Sequence, residues 1–148
     1  MRFLAPADLA SIDARSLDDV LTARECVIAV GEGELRGLAA AALLFADYAV
    51  LRTGAIIIID TPEAAAAAVW RGTPWSPQPD EITDHDPETW RANWLKGRST
   101  LALDSAATLI RSRGGDALER AEFARLFGTG EPQTGLGAFL TKQPPTFR

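Results

Sequence analysis

The side chains whose types could do chemistry in this chain are few and scattered. His85 lies among carboxylates in Asp80-Glu81-Ile82-Thr83-Asp84-His85-Asp86, a mixture that could hold a divalent metal. It is the sole histidine, however, so a solvated loop is the simpler reading and no metal is assigned. Serine, histidine and aspartate form no recognisable nucleophile set, and the P-loop and dinucleotide patterns are absent. Gly33 and Gly37 fall in Gly31-Glu32-Gly33-Glu34-Leu35-Arg36-Gly37, directly before an apolar stretch; taken alone, they permit a tight turn and close helix packing. Glu63 follows Thr61-Pro62, where a first-turn carboxylate is favoured by the helix dipole.

The elements that must hold these residues follow from pattern. Ser16 to Arg24 reads as a short helix capped by Ser16, with Asp19 as its capping-box partner and Leu17, Val20 and Leu21 on the buried face. Cys26 to Val30 is a continuous apolar run that suits a strand covered on both faces. Leu38 to Asp47 has high helix propensity and no polar face until its end, so this helix must be buried. Tyr48 to Leu51 and Ala55 to Ile59 predict two short strands joined by a turn at Thr53-Gly54. Thr61-Pro62-Glu63 then opens a closely packed alanine helix. Residues 72–88 interleave Pro74, Pro77, Pro79 and Pro87 with acidic residues and predict a long loop, with Trp70, Trp75, Trp90 and Trp94 anchoring it by aromatic packing. Helical periodicity returns at Glu88 to Leu95, Leu103 to Arg111 and Asp116 to Phe127. In the last of these Asp116 to Glu119 reads as a capping box, and Leu118, Phe123, Leu126 and Phe127 share a face. A final helix spans about Gln133 to Lys142.

Composition narrows the function. The 148 residues suit one domain, organised as an α/β core over 1–71, the loop over 72–88 and a helical region over 89–148. With 15 basic and 20 acidic side chains the net charge is -5, so the positive field that a nucleic-acid partner requires is missing. Cys26 is the single cysteine, which excludes an internal disulfide and suits a reducing compartment. The start does not read as a secretory signal and no apolar run is long enough to span a membrane, so a cytoplasmic location is expected.

Three blocks carry a resemblance to one family. Phe3-Leu4-Ala5-Pro6-Ala7-Asp8-Leu9 is similar to a Phe-x-Ala-Gly-Ala-Asp-Leu pattern, Val30 to Asp47 to a glycine-rich turn and buried helix ending in aspartate, and Asp116 to Phe147 to a pair of closing helices. Together they resemble the enoyl-CoA hydratase/isomerase (crotonase) superfamily, as a shortened and divergent member. The resemblance implies a truncated crotonase-like spiral of short strands with buried helices and a C-terminal helical region, with roughly half of a usual family chain absent. It also implies an oxyanion hole for an acyl-CoA thioester, in which preorganised backbone donors meet the developing negative charge. Its two N–H groups would be those of Ala7 and Leu38, with Gly33 and Gly37 lining the substrate site. Pro6 replaces the usual glycine, and the leucine side chain at 38 narrows the pocket.

The family's first acid aligns with Ala41, so two cooperating glutamates are not expected. Pro62-Glu63 resembles the dipeptide that carries the second acid, which makes Glu63 the acid/base candidate and Asp60 the second choice. A lone carboxylate in an apolar surround can shuttle a proton as an isomerase-type reaction requires. Arg71 and Lys142 are isolated basic residues that could touch CoA phosphates, but solvation is the simpler reading. Two functions remain open: enoyl-CoA hydratase/isomerase-like chemistry, or a non-catalytic remnant of the fold serving assembly or partner binding. Neither needs a cofactor beyond acyl-CoA as ligand. Self-association as a trimer or hexamer is expected, and a second protein supplying the missing strands is a further expectation.

Overall fold

In the computed structural model, which describes residues 1–72, 76–112 and 115–147, the first strand is brief. Arg2–Leu4 (β1) gives way to the short helix Pro6–Ala10 (α1), with Pro6 as its first residue. Proline suits that place, because the first helical residue has no intrahelical acceptor for an N–H and the ring presets φ. Ala14–Leu21 (α2) follows. Its cap is Asp13, which accepts the Ser16 N–H at 2.7 Å, so Ser16 lies inside the helix and is not the cap expected from the sequence. Both residue types cap well, and the upstream one takes the role. Leu17 and Val20 are buried, but Leu21 is 44% exposed and does not share their face.

Val27–Gly31 (β2) is buried at every position, as its unbroken apolar run requires. Glu34–Leu35 (β3) is a two-residue strand inside the glycine turn, and Gly37–Phe45 (α3) follows it. Tyr48–Arg52 (β4), Ile56–Ile57 (β5) and Pro62–Trp70 (α4) come next, with Thr61 capping α4 through the Ala64 N–H at 3.3 Å. β4 and β5 belong to different sheets: β5 pairs in parallel with β3, whereas β4 pairs with β2. The larger sheet has the order β1-β2-β4-β6, all parallel, where β6 is Glu81–Thr83. That last strand corrects the loop expected over 72–88. Val50 pairs with Glu81 and Arg52 with Thr83, so part of the segment is a sheet edge. A three-residue strand among prolines and acids has too few residues to show alternation. Pro74 and Trp75 lie outside the described residues.

The core of this unit is α3. Ala40 to Leu44 have no accessible surface, and the small side chains Ala64, Ala67 and Ala68 of α4 let the two helices pack together. The C-terminal end of the α3 region is tied to other segments. Asp47 accepts the Val27 N–H at 2.7 Å and returns its own N–H to the Val27 carbonyl at 2.8 Å. Arg71 donates to the Leu44 and Ala46 carbonyls, each at 3.0 Å, and pairs with Asp80, so its guanidinium is committed to the C-terminal end of α3. At the sheet edge Trp90 is buried, donates to Glu81 at 2.7 Å and stacks on Tyr48 at a centroid distance of 6.2 Å. Of the other tryptophans, Trp70 is about half exposed and Trp94 lies under the Arg98 guanidinium at 4.4 Å.

The chain was expected to form one domain with boundaries at 71/72 and 88/89. By its contacts it divides into two units, residues 2–23 with 27–90, and residues 1, 24–26 and 91–148. The helix Pro87–Leu95 (α5) runs through the division, and the second unit continues with Thr100–Ser112 (α6), Asp116–Phe127 (α7) and Glu131–Thr141 (α8). Gly115, not Asp116, is the α7 cap, and no side chain bonds there, so the expected capping box is not formed. Ser105 on α6 donates to Glu122 on α7 at 2.7 Å, and Arg125 bonds both. None of the α7 or α8 residues is buried: the Phe123 and Phe127 rings meet at a tilt with centroids 4.5 Å apart yet remain largely exposed, as do Leu136, Phe139 and Leu140. No helix among the described residues is long and apolar enough to cross a membrane.

Two outcomes follow for stability. A Cβ at Gly31 would sit 2.4 Å from Leu35 Cδ1 and 3.0 Å from Leu51 Cδ2, so Gly31→Ala overfills the core and is expected to cost about 1–3 kcal/mol in urea denaturation; an unchanged midpoint would contradict this packing. The Arg125 guanidinium, and then the Ser105 hydroxyl, hold the Glu122 carboxyl below its ordinary value of 4.5. A group lowered by folding stabilises above its unfolded value and loses that contribution as pH falls through its folded one. Acid unfolding of Glu122→Gln, followed by circular dichroism below pH 4.5, is therefore expected to be less pH-dependent than that of the parent protein.

Candidate functional site

Parallel pairing brings the C-terminal ends of β1 and β2 to one edge of the sheet, and those of β3 and β5 likewise end together. Crevices outside the carboxyl ends of parallel strands are where such sheets bind ligands. One helix starts at the end of β1, and two start at the ends of the β3-β5 pair. α1 leaves β1 directly and packs against β2 and α3; α3 leaves β3; α4 follows β5 and packs along α3. The starts of α3 and α4 are adjacent, since a Cβ at Gly37 would lie 3.7 Å from Thr61 Cγ2.

A helix start leaves N–H groups without intrahelical partners, and how each is used decides what remains for a ligand. In α1, Pro6 has no N–H, and the Asp8 and Leu9 N–H groups bond the Ala5 carbonyl at 3.0 and 3.2 Å. The Ala5 N–H is taken by the Asp8 side chain at 2.8 Å. In α3, the Gly37 N–H donates to Asp60 Oδ1 at 3.0 Å, and the Ala39 and Ala40 N–H groups bond the Arg36 carbonyl at 3.1 and 3.3 Å. Among the described residues, the N–H left over at each start is that of the second helical residue, Ala7 in α1 and Leu38 in α3. The Leu38 side chain is half-buried and packs against the core.

The glycines act through the backbone. Gly37 has φ +53° and Gly33 φ +66°, left-handed values that a side chain resists. The Gly37 N–H is spent on Asp60, and the Gly33 carbonyl accepts the Ile56 N–H at 2.9 Å, which joins β3 to β5. Glu63 is the second residue of α4, two positions after Thr61, and its side chain is exposed, without the apolar surround expected from the sequence. Asp60 is engaged through both oxygens, Oδ1 by Gly37 and Oδ2 by Arg36 at 3.5 Å. That capping role was missed in the sequence. The signal for it was Arg36, which precedes α3 and cannot cap it, so an acceptor had to come from elsewhere. Ala41 is fully buried and α3 carries no ionisable side chain, so α3 itself supplies no carboxylate. Among the described residues no group of three His, Cys, Asp or Glu could hold a metal, and His85 is exposed.

No protein-family model matches the chain, and no curated protein matches it in sequence. Solved structures do match in shape. An enoyl-CoA hydratase from Polaromonas sp. JS666 superposes with a TM-score of 0.66 at 22% identity, over 97% of this chain and 68% of its own. An enoyl-CoA hydratase subunit from Geobacillus kaustophilus HTA426 gives 0.64 at 19%, over 96% and 73%. An enoyl-CoA hydratase/isomerase from Cupriavidus metallidurans CH34 gives 0.58 at 22%, over 90% and 64%. The chain has the crotonase fold. At these identities the likeness is one of architecture, and the chain spans between 64% and 73% of those crotonase-fold chains, so about a third of their length is unmatched where the sequence implied a half.

The crotonase-fold edge depends on Gly37 for its shape. Gly37→Ala forces an L-residue into the left-handed region at a cost of about 1–2 kcal/mol, so a lower denaturation midpoint is expected, with a smaller loss in far-ultraviolet helicity. A midpoint equal to that of the parent would mean that α3 does not start through this conformation.

Proposed function

We propose that the protein binds an acyl-CoA thioester through the Ala7 and Leu38 N–H groups and carries out enoyl-CoA hydratase/isomerase-like proton transfer with Glu63. The observation that carries this reading is the pair of leftover N–H groups at the starts of α1 and α3, two helices that pack against each other, within a fold shared with enoyl-CoA hydratases. A thioester carbonyl seated there would accept both bonds. When a proton leaves the carbon chain, the developing enolate oxygen is the atom those donors stabilise, and one such donor contributes about 3–4 kcal/mol to a barrier. Glu63 starts the helix that packs beside Leu38 and can take the proton from one carbon and return it to another. Gly33 and Gly37 shape the approach, and neither resident cofactor nor metal enters the scheme.

The protein is further proposed to work as a homo-oligomer. Phe123, Phe127, Leu136, Phe139 and Leu140 are large apolar side chains left exposed on α7 and α8, and association with further copies would cover them. The reading puts the protein in the cytoplasm, in keeping with Cys26, the one cysteine, which is buried and outside any disulfide.

Calorimetric titration with a panel of acyl-CoA thioesters, against CoA alone, tests the binding step. Saturable micromolar binding that requires the thioester is expected. Glu63→Gln should then retain affinity and lose at least about a hundredfold in turnover, because a missing proton shuttle acts on the transition state. Absence of binding across the panel would favour a non-catalytic remnant. Light scattering after gel filtration tests assembly: the parent should elute as an oligomer and Phe139→Asp, altering a residue 79% exposed, at lower mass. A monomeric parent would contradict it.

A further inference from the structure

Resting on that reading, we infer that Asp60 is a positioning residue that sets which N–H of α3 reaches the ligand and how strongly it donates. Arg36 supplies no side-chain cap to α3, and Asp60, twenty-four residues further along, fills the role: Oδ1 takes the Gly37 N–H at 3.0 Å while Oδ2 is met by the Arg36 guanidinium at 3.5 Å. With Gly37 occupied and Ala39 bonded to the Arg36 carbonyl, the first turn offers the Leu38 N–H alone. Asp60 also brings a negative charge to a helix start whose partial positive charge is what polarises a carbonyl. Arg36 and Glu34 extend the network, at 3.2 Å between Arg36 Nη2 and Glu34 Oε2, so the cation that would offset Asp60 is shared with a second carboxylate. Asp60 thus fixes the geometry of the donor and damps its strength. With both oxygens engaged in holding α3 and Arg36, the role assigned to it is positioning, and the proton transfer is left to Glu63.

The two effects separate by substitution. Asp60→Asn keeps an oxygen for the Gly37 N–H and removes the charge, whereas Asp60→Ala removes both. Amide hydrogen exchange, measured by NMR without ligand, should show Gly37 protected and Leu38 exchanging freely in the parent. Protection of Gly37 should persist in Asp60→Asn and fall at least about tenfold in Asp60→Ala, because the bond is gone. Crotonyl-CoA labelled with ¹³C at the thioester carbonyl is the probe for the second effect. Its C=O stretch should lie at lower wavenumber in Asp60→Asn than in the parent, with affinity about two- to fivefold tighter. A structural role alone would leave that frequency unmoved. Equal frequency and affinity in the parent and Asp60→Asn would overturn the damping, and a protected Gly37 in Asp60→Ala would overturn the positioning. If the parent does not bind crotonyl-CoA, the thioester reading fails, and the exchange of Gly37 still decides whether Asp60 holds α3.

Discussion

A helix with no polar face cannot end in water, and α3 is such a helix: Ala40 to Leu44 are all without accessible surface. Burying it is favourable, but the orphan N–H and carbonyl groups at its two ends must then be met by other parts of the chain. At the C-terminal end Arg71 meets the Leu44 and Ala46 carbonyls and is itself anchored by Asp80, which also accepts the Ala49 N–H at 2.7 Å. At the N-terminal end Asp60 meets Gly37. The segments after β5 and α4 are therefore where they are because α3 needs them, and the sheet edge at β6 follows from the placement of Asp80.

Satisfying that start leaves something over. Proline at the first position of α1 and a carboxylate on the first position of α3 arrive at the same result by different chemistry, the removal of one N–H and the occupation of another. In both helices the second residue keeps a donor that nothing in the described chain accepts. A structural requirement thus produces the pair of donors on which the proposed binding depends, and Asp60 links the two.

Much of this core was legible in the sequence because burial writes itself as uninterrupted apolar residues. Val27 to Val30, Leu38 to Phe45 and the alanines after Pro62 needed no partner to be recognised as strand, buried helix and packed helix, and Thr61 announced its own cap. What was not legible is pairing over distance and elements too short for periodicity. β3 and β6 are two and three residues long, and each exists only through its neighbour, β5 or β4. The bonds of Asp60 and Arg71 span twenty-three and twenty-seven residues to reach α3, which no local pattern encodes. Of the proposed site, Ala7, Leu38 and Glu63 were named through the resemblance, while Asp60 was named for its carboxyl and its capping role was missed. In α7 the period correctly gave a helix, but the apolar face it marked remains largely exposed, since periodicity says that a face seeks cover and not what covers it.

The central claim is that two leftover N–H groups receive one carbonyl. Amide chemical shifts in a ¹⁵N-labelled protein titrated with crotonyl-CoA measure this directly. The account predicts that the Ala7 and Leu38 amide protons move downfield together and saturate at the same concentration, while the occupied Gly37 amide moves less. Saturable binding that leaves Ala7 and Leu38 unshifted, or shifts one without the other, would contradict it.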